Sequence, residues 1–308
     1  METNLKKYLI AINFLFFILI VFLFLIQDLI NLSSSNKYII CFFLIATIGV
    51  SHGAYDGHKA KKFFFKKIKY SKLLFYLTYI SLALFVVYSW YLNPKISLII
   101  FLIVSSFHFG KEDLEIYITR VFKFRSVIFF LKGSLIILLP LYFKFNETNE
   151  IFNKLFFTKE FTLISNNLAH VMLPINLLVQ FLLYLYIFFK KKIFYKDLLV
   201  IFFEIALTII IFIFFSTIVA FTLYFCFIHS LKNILVIASE LNSNIYAGIN
   251  TFILRALPIT TITFFTLLAS LYIFSNFDIL ENALQKIIFI GLASLTLPHI
   301  ILHYFLET

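Results

Sequence analysis

Apolar runs of about 20 residues recur from one end of the chain to the other and are separated by short polar stretches. Each run can cross ~30 Å of hydrocarbon at a rise of ~1.5 Å per residue. The pattern predicts an all-α fold, a polytopic integral membrane helical bundle of about ten transmembrane helices, within a range of roughly eight to ten. The sixth run carries Pro174 and is interpreted as a short interfacial piece followed by a span. The predicted spans are 8–30, 38–59, 73–92, 95–110, 126–143, 162–189, 196–215, 217–239, 254–275 and 284–306.

Composition agrees with this pattern, since 62% of the 308 residues are hydrophobic, against roughly 45–50% in a soluble domain. The first run follows Lys6 and Lys7 like a signal peptide, but it continues to about Ile30 without a small-residue cleavage site. It is therefore interpreted as a retained helix. No repeat or long linker divides the chain, which predicts a single transmembrane domain over residues 1–308.

The net charge of +11 comes from lysines and arginines that lie between the apolar runs. This distribution is typical of cytoplasmic loops and does not indicate a nucleic-acid partner. It predicts a multi-pass protein of the cell (plasma) membrane with both termini in the cytoplasm. The two cysteines, Cys41 and Cys226, lie within predicted spans, which argues against a disulfide scaffold. The basic groups assigned to the cytoplasmic side are Lys6, Lys7, residues 59–72, residues 111–125, residues 190–196 and Arg255.

Four histidines fall on even-numbered spans, each between the middle of its span and the cytoplasmic end, so their imidazoles are predicted to share one layer. Histidine donors with few carboxylates or thiols suit iron, copper, zinc or nickel. His58 lies at the cytoplasmic end of its span. His170 falls on the opposite side of the membrane and is interpreted as structural. The four are His52, His108, His229 and His299.

The stretch SHGAYDGH places Asp56 four residues after His52, on the same helical face. A carboxylate so placed, on this helix or a neighbouring one, can accept the second ring N–H of a metal-bound histidine. The alternative is a polar helix end at the cytoplasmic interface.

In SSFHFGKED, Gly110 is a candidate helix stop and Glu112 follows His108 by four residues. The alternative there is a histidine that interacts with the helix dipole.

His229 has apolar residues on both sides in YFCFIHSLKN and needs a partner, which Ser230, Lys232 and Asn233 do not obviously supply. The stretch TLPHIILHYF spaces His299 and His303 by four residues, so that one helix can offer two nitrogens to one metal. The alternative for His303 is a solvated side chain near the terminus.

Glu204 lies near mid-membrane, where a carboxylate must be protonated, paired or turned to a polar cavity. Two interpretations remain open at this residue: a hydrogen-bond partner for one of the histidines, or a neutral acid packed against a hydroxyl.

Four stretches give the chain a resemblance to the bacteriorhodopsin-related membrane β-carotene oxygenases, the Brp/Blh family, over most of its hydropathy pattern. They are HGAYD (His52 to Asp56), HFGKED (His108 to Asp113), TLYFCFIHS (Thr222 to Ser230) and FIGLASLTLPHIIL (Phe289 to Leu302). The resemblance implies an iron(II)-dependent dioxygenase that uses O2 to cleave the central 15,15′ double bond of β-carotene, dissolved in membrane lipid, into two molecules of retinal. It also implies a retinal-binding partner, such as a rhodopsin-like proton pump, in the same cell.

Carried over residue by residue, the resemblance implies Fe(2+) ligands at His52, His108 and His229. A fourth family histidine corresponds to Asn233, where this chain departs from the pattern. This leaves a three-histidine iron site, or a site completed by His299, by His303 or weakly by the Asn233 oxygen, and His299 is the first candidate. The candidates for hydrogen-bond partners around the ligands are Asp56, Glu112, Asp113, Glu204 and Asn233.

Three other classes of function compete with this interpretation. A histidine-lined membrane transporter or metal permease predicts polar residues spread through the membrane depth in matching halves, which the sequence does not show. A di-iron desaturase predicts HxxHH boxes, which are absent. A non-retinal-forming homologue that acts on another polyene lipid stays open because of Asn233.

Overall fold

The computed structural model describes residues 2–30, 32–63, 71–118, 122–156 and 162–307. Within these ranges every regular element is helical and no strand occurs, which confirms the predicted all-α fold. Residues 64–70 and 119–121, which belong to the predicted basic loops, lie outside the described part of the chain.

Thirteen α-helices are present in the described ranges, with two π-helical segments and one short 3-10 segment between them. The first seven helices are α1 (Glu2–Ile30), α2 (Ser34–Leu44), α3 (Asp56–Phe63), α4 (Ser71–Leu92), α5 (Pro94–Leu114), α6 (Arg125–Phe143) and α7 (Phe145–Lys154). The remaining six are α8 (Asn166–Phe189), α9 (Tyr195–Phe214), α10 (Thr217–Leu223), α11 (Leu231–Leu241), α12 (Ile245–Ser275) and α13 (Leu280–Glu307). The π-helical segments are Ile45–Gly49 and Tyr224–Ser230, and the 3-10 segment is Gly53–Tyr55.

Ten stretches of the described chain are long and apolar enough to cross a membrane, which confirms the predicted number of spans. Their ends differ from the prediction in several places, and at the ninth span a capping side chain marks the observed start. The ninth span is α12, and it begins at Ile245 instead of 254, because the Asn244 side chain accepts hydrogen bonds from the first backbone N–H groups. The sixth span is α8, one continuous helix with Pro174 inside it, so the predicted interfacial piece is not a separate element.

Gly110 does not end its helix, contrary to the expectation from HFGKED, and α5 continues to Leu114. The reason is packing, since a Cβ atom at Gly110 would collide with the backbone carbonyl of Phe129 on α6. Gly133 on α6 approaches the carbonyl of Ser106 in the same way. Two glycines thus allow the backbones of α5 and α6 to touch.

The chain divides into two compact units. The first comprises Ser34–Phe101 and Asn233–Thr308, and in it α13 packs along α4, α2 and α12. The second comprises Glu2–Ser33 and Leu102–Lys232, and in it α6 packs against α8 and α9, and α9 also contacts α1.

Candidate functional site

His52 lies where the second span leaves regular α-helical geometry. The π-helical segment Ile45–Gly49 precedes it and the 3-10 segment Gly53–Tyr55 follows it. Its ring Nδ1 is 3.0 Å from the carbonyl oxygen of Gly49. Because a carbonyl only accepts, Nδ1 carries the proton and Nε2 of the neutral ring carries a lone pair. Short π-helical segments occur frequently at functional sites.

His299 lies beside His52 in the same unit, with the ring centroids 5.4 Å apart and the planes nearly perpendicular. Its Nδ1 donates to Oδ2 of Asp56 at 2.7 Å, and the hydroxyl of Tyr79 donates to the same oxygen at 3.0 Å. All four side chains come from the first unit. Asp56 therefore fixes the His299 tautomer, with its lone pair on Nε2, in the manner of a carboxylate behind a metal-bound histidine.

His303 lies one turn after His299, and the two ring centroids are 4.4 Å apart. Asp56, His299 and His303 each offer a ligand atom, and these atoms lie within 4.8 Å of one another. However, Nε2 of His303 is 3.2 Å from the ammonium of Lys59, which can only donate. The Lys59 ammonium therefore engages the Nε2 lone pair, which makes His303 a weaker candidate ligand than His299.

His229 belongs to the second unit and is completely buried in the π-helical segment Tyr224–Ser230. Phe109 meets its ring edge-on with centroids 4.8 Å apart, and Phe225 stacks on it at 5.7 Å. The ring of His108 lies 5.5 Å from that of His229. The second unit thus contains a histidine pair of its own, surrounded by aromatic side chains that exclude water.

Asp113 on α5 is a partner of His229 from another helix. Its Oδ1 lies 3.1 Å from Nδ1 of His229, and its Oδ2 accepts from the hydroxyl of Tyr224 at 2.7 Å. The ammonium of Lys132, which is fully buried, lies 3.5 Å from Oδ2. Asp113 is fully buried as well, so its negative charge is compensated inside the protein by Lys132.

Glu204 is paired with Lys232, and not with one of the histidines. The Lys232 ammonium donates to Oε2 of Glu204 at 2.6 Å and to the backbone oxygen of Asp113 at 3.0 Å. Asn13 and Tyr117 each donate to Oε1 of Glu204 at 2.9 Å. Burial, and next to it the Glu204 carboxylate, raise the pKa of Tyr117 well above its usual range. Tyr117 therefore stays protonated and continues to donate at neutral pH.

Glu112 precedes Asp113 on α5 and turns its carboxylate toward His108 and His229. Its Oε2 lies 3.7 Å from Nε2 of His108 and 3.3 Å from Nε2 of His229. Only about a tenth of its side chain is exposed. The contact with His229 is made by the nitrogen opposite to the one that faces Asp113.

Three further residues that the sequence analysis named are His58, His170 and Asn233. His58 stacks on Tyr55 with ring centroids 5.2 Å apart. His170 is exposed on α8, and its Nδ1 lies 2.9 Å from the carbonyl of Asn166. Asn233 is half-buried on α11, four residues after His229.

Sequence reasoning did not identify the buried lysines as partners of the carboxylates. Lys132 sits in the stretch FFLKGSLII inside the fifth span, and Lys232 follows His229 by three residues. A basic residue inside an apolar run is a recognisable signal, since a charge at membrane depth must be paired. The tyrosines that complete the two carboxylate sites, Tyr79 and Tyr224, carry no such signal in a chain with 17 tyrosines.

The donor set fits a first-row transition metal. In His52, His229 and His299 the Nδ1 atom faces a hydrogen-bond acceptor, and a neutral ring then presents the Nε2 lone pair as a ligand. Imidazole donors suit iron, copper, zinc and nickel. Helices long enough to span a membrane and buried imidazoles with oriented nitrogens together define a membrane protein whose side chains could hold such a metal.

Comparison with known proteins gives the family. Residues 43–307 match the family described as beta-carotene 15,15'-dioxygenase. The chain is 30% identical over 273 residues to the beta-carotene 15,15'-dioxygenase of uncultured marine bacterium 66A03, with 84% of this chain and 90% of that protein covered. The chain belongs to the β-carotene 15,15′-dioxygenase family and is a carotenoid-cleaving dioxygenase, as the four motifs predicted. No solved structure matches it.

Proposed function

We propose that this enzyme uses iron(II) and O2 to cleave the central 15,15′ double bond of β-carotene into two molecules of retinal. The observation that carries the iron assignment is the set of buried histidines whose Nδ1 atoms face acceptors. The substrate assignment is supported by the name of the relative from the marine bacterium. One C=C bond breaks and two C=O bonds form, so each product receives one atom of O2 and no external reductant is needed.

The iron ligands in this proposal are His52, His108, His229 and His299. The first three follow the motifs of the family, and His299 completes the set because this chain has Asn233 in place of the fourth family histidine. Iron(II), when bound, supplies the activation of dioxygen that a hydrocarbon substrate and the protein groups cannot provide.

The chain's own residues prepare the imidazoles. Asp56 and Asp113 accept the Nδ1 protons of His299 and His229, so that both rings offer Nε2 without any rearrangement. The aromatic rings of Phe109 and Phe225 cover His229 and keep water away from it. Exclusion of water protects a reactive oxygen species from side reactions.

The substrate and the product are both lipid-soluble, which agrees with an enzyme made of apolar helices. We place the enzyme in the plasma membrane with both termini in the cytoplasm, since the basic loops follow the positive-inside distribution. Its retinal is consumed by a retinal-binding membrane protein of the rhodopsin kind in the same cell.

The test is expression in a bacterial strain that accumulates β-carotene, beside a His52→Ala control, with pigments extracted and separated by chromatography. We expect retinal only with the intact protein, and one atom of ¹⁸O in each retinal when cells are grown under ¹⁸O2. Undiminished β-carotene from a well-expressed, iron-loaded protein would contradict the substrate assignment. It would favour another polyene lipid as substrate, which the departure at Asn233 makes the next hypothesis.

A further inference from the structure

The carboxylate of Glu112 faces two imidazole nitrogens of the second unit at once. Its Oε2 is 3.3 Å from Nε2 of His229 and 3.7 Å from Nε2 of His108. Glu112 and His108 are one turn apart on α5, whereas His229 comes from the π-helical segment Tyr224–Ser230. One carboxylate oxygen therefore faces imidazole nitrogens from two helical segments.

The contact with His229 needs a positive charge between the two atoms. Nδ1 of His229 donates to Asp113, so a neutral ring carries a lone pair on Nε2. An ionised carboxylate oxygen is also only an acceptor. Two acceptors 3.3 Å apart repel each other unless a proton or a metal cation lies between them.

A metal cation explains more of the geometry than a proton does. A proton on Nε2 of His229 would explain the contact of His229 with Glu112 but not the approach of His108 to the same oxygen. Two ligands on one ion, with bonds of ~2.0–2.2 Å, lie about 2.8 to 3.6 Å apart for angles between 90° and the tetrahedral value. The separation from His229 falls inside this range and that from His108 is slightly longer.

We propose that Glu112 is itself a ligand of the metal, which it binds together with His108 and His229. This inference rests on the proposed iron dependence and deepens it. A carboxylate together with imidazoles is a donor combination that non-haem iron(II) takes, and Glu112 adds to the histidine ligands of the proposed function. The carboxylate also supplies a donor in a chain that has a neutral amide, Asn233, where the family resemblance places a histidine.

The first experiment measures iron(II) affinity of the full-length protein in detergent micelles, under anaerobic conditions and without carotenoid. Glu112→Gln keeps the size of the side chain but removes its charge, and we expect at least a tenfold loss of affinity. The matched control is Glu115→Gln. Glu115 lies directly after α5, is half exposed and pairs with Arg125. This control should bind iron(II) like the unmodified protein.

Two further measurements separate a ligand from a structural carboxylate. The metal-free Glu112→Gln protein should unfold at the same temperature as metal-free protein of unmodified sequence, whereas the stabilisation on adding iron(II) should shrink. If a proton, and not a metal, lies between Glu112 and His229, the metal-free Glu112→Gln protein should instead unfold at a lower temperature than the metal-free unmodified protein. The visible absorption of the Co(II)-loaded protein should change in Glu112→Gln and not in Glu115→Gln.

Glu112→His replaces one donor by another, and it should restore iron retention with a Co(II) spectrum different from that of the unmodified protein. Equal iron affinity of Glu112→Gln and the unmodified protein would overturn the ligand role and leave the proposed function intact. If the unmodified protein binds no iron(II), both proposals fall.

Discussion

Nδ1 of His299 donates to Oδ2 of Asp56 over 2.7 Å, although the two residues are 243 positions apart in the chain. The second unit repeats this arrangement between His229 and Asp113, which are 116 positions apart and separated by 3.1 Å. In both units a carboxylate from an early span sets the tautomer of a histidine on a later one. The same arrangement therefore fixes the tautomer of two imidazoles.

Asp56→Asn should weaken iron(II) binding about 10- to 100-fold, because an amide orients and polarises the His299 ring less well than a carboxylate. The measurement is the iron retained by the purified protein against a competing chelator. Tyr79→Phe is the control, since it removes the other hydrogen bond to Oδ2 of Asp56 but leaves His299 in contact. Equal losses in the two variants would contradict a specific role of Asp56 toward the histidine.

Lys132→Met should destabilise the protein by about 3–5 kcal/mol, because it leaves the buried carboxylate of Asp113 without its nearest ammonium. Unfolding in mixed detergent micelles, followed by circular dichroism, measures this. The exposed Lys123, changed to Met in the same way, should cost less than about 0.5 kcal/mol. Adding Asp113→Asn to Lys132→Met should recover part of the loss, and a strictly additive double variant would refute the pairing.

The fold could be predicted from the sequence because membrane spans depend only on length and hydropathy, which are local properties. The histidines and the carboxylates Asp56, Glu112 and Asp113 were also identified, since polar residues stand out in apolar runs. Which carboxylate meets which histidine was not predictable, because that pairing depends on helix packing over more than a hundred residues. The pairing of Glu204 with Lys232 also depends on how the helices pack, although the two residues are only 28 positions apart.

The two π-helical segments were not predictable either. Ile45–Gly49 and Tyr224–Ser230 have the same apolar composition as the regular helices around them. Each one precedes or contains a histidine, so the unpredicted backbone geometry lies where the predicted chemistry is.

Gly110→Ala should destabilise the protein by about 1–3 kcal/mol or more, since the added methyl group would overlap the carbonyl of Phe129. Thermal unfolding in detergent tests this. Gly291→Ala is the matched control, because its methyl group would lie 3.2 Å from the flexible side chain of Leu267, which can move. If Gly110→Ala were as stable as Gly291→Ala, the close contact between α5 and α6 would be wrong.

Asp278 precedes α13 and gives the protein a small acid-sensitive contribution to stability. It accepts hydrogen bonds from Lys286 at 2.7 Å and from Asn282 at 3.0 Å. Burial by itself raises the pKa of Asp278, but these hydrogen bonds outweigh burial and hold the pKa below its ordinary value. A lowered pKa stabilises the folded state above the unfolded pKa of ~3.9, and this stabilisation is lost as the pH falls through the folded value.

Asp278→Asn should therefore lower the unfolding temperature slightly at pH 7 and make its decline between about pH 5 and pH 3 shallower. The unfolding temperature measured across this pH range checks the prediction. If the unfolding temperature of Asp278→Asn declined in acid as steeply as that of the unmodified protein, the hydrogen bonds from Lys286 and Asn282 would not favour the ionised form of Asp278.

Asn233→His should raise iron(II) affinity, because it restores the histidine that the family resemblance places four residues after His229. An imidazole is a stronger ligand for iron(II) than an amide oxygen. The measurement is iron retained against a chelator, together with retinal formed in β-carotene-accumulating cells. The same substitution in the Glu112→Gln background should recover more affinity than in the unmodified protein, since a donor is then missing. A loss of iron in Asn233→His alone would instead mean that the surrounding side chains have adapted to asparagine, and the fourth histidine of the family would then have no counterpart here.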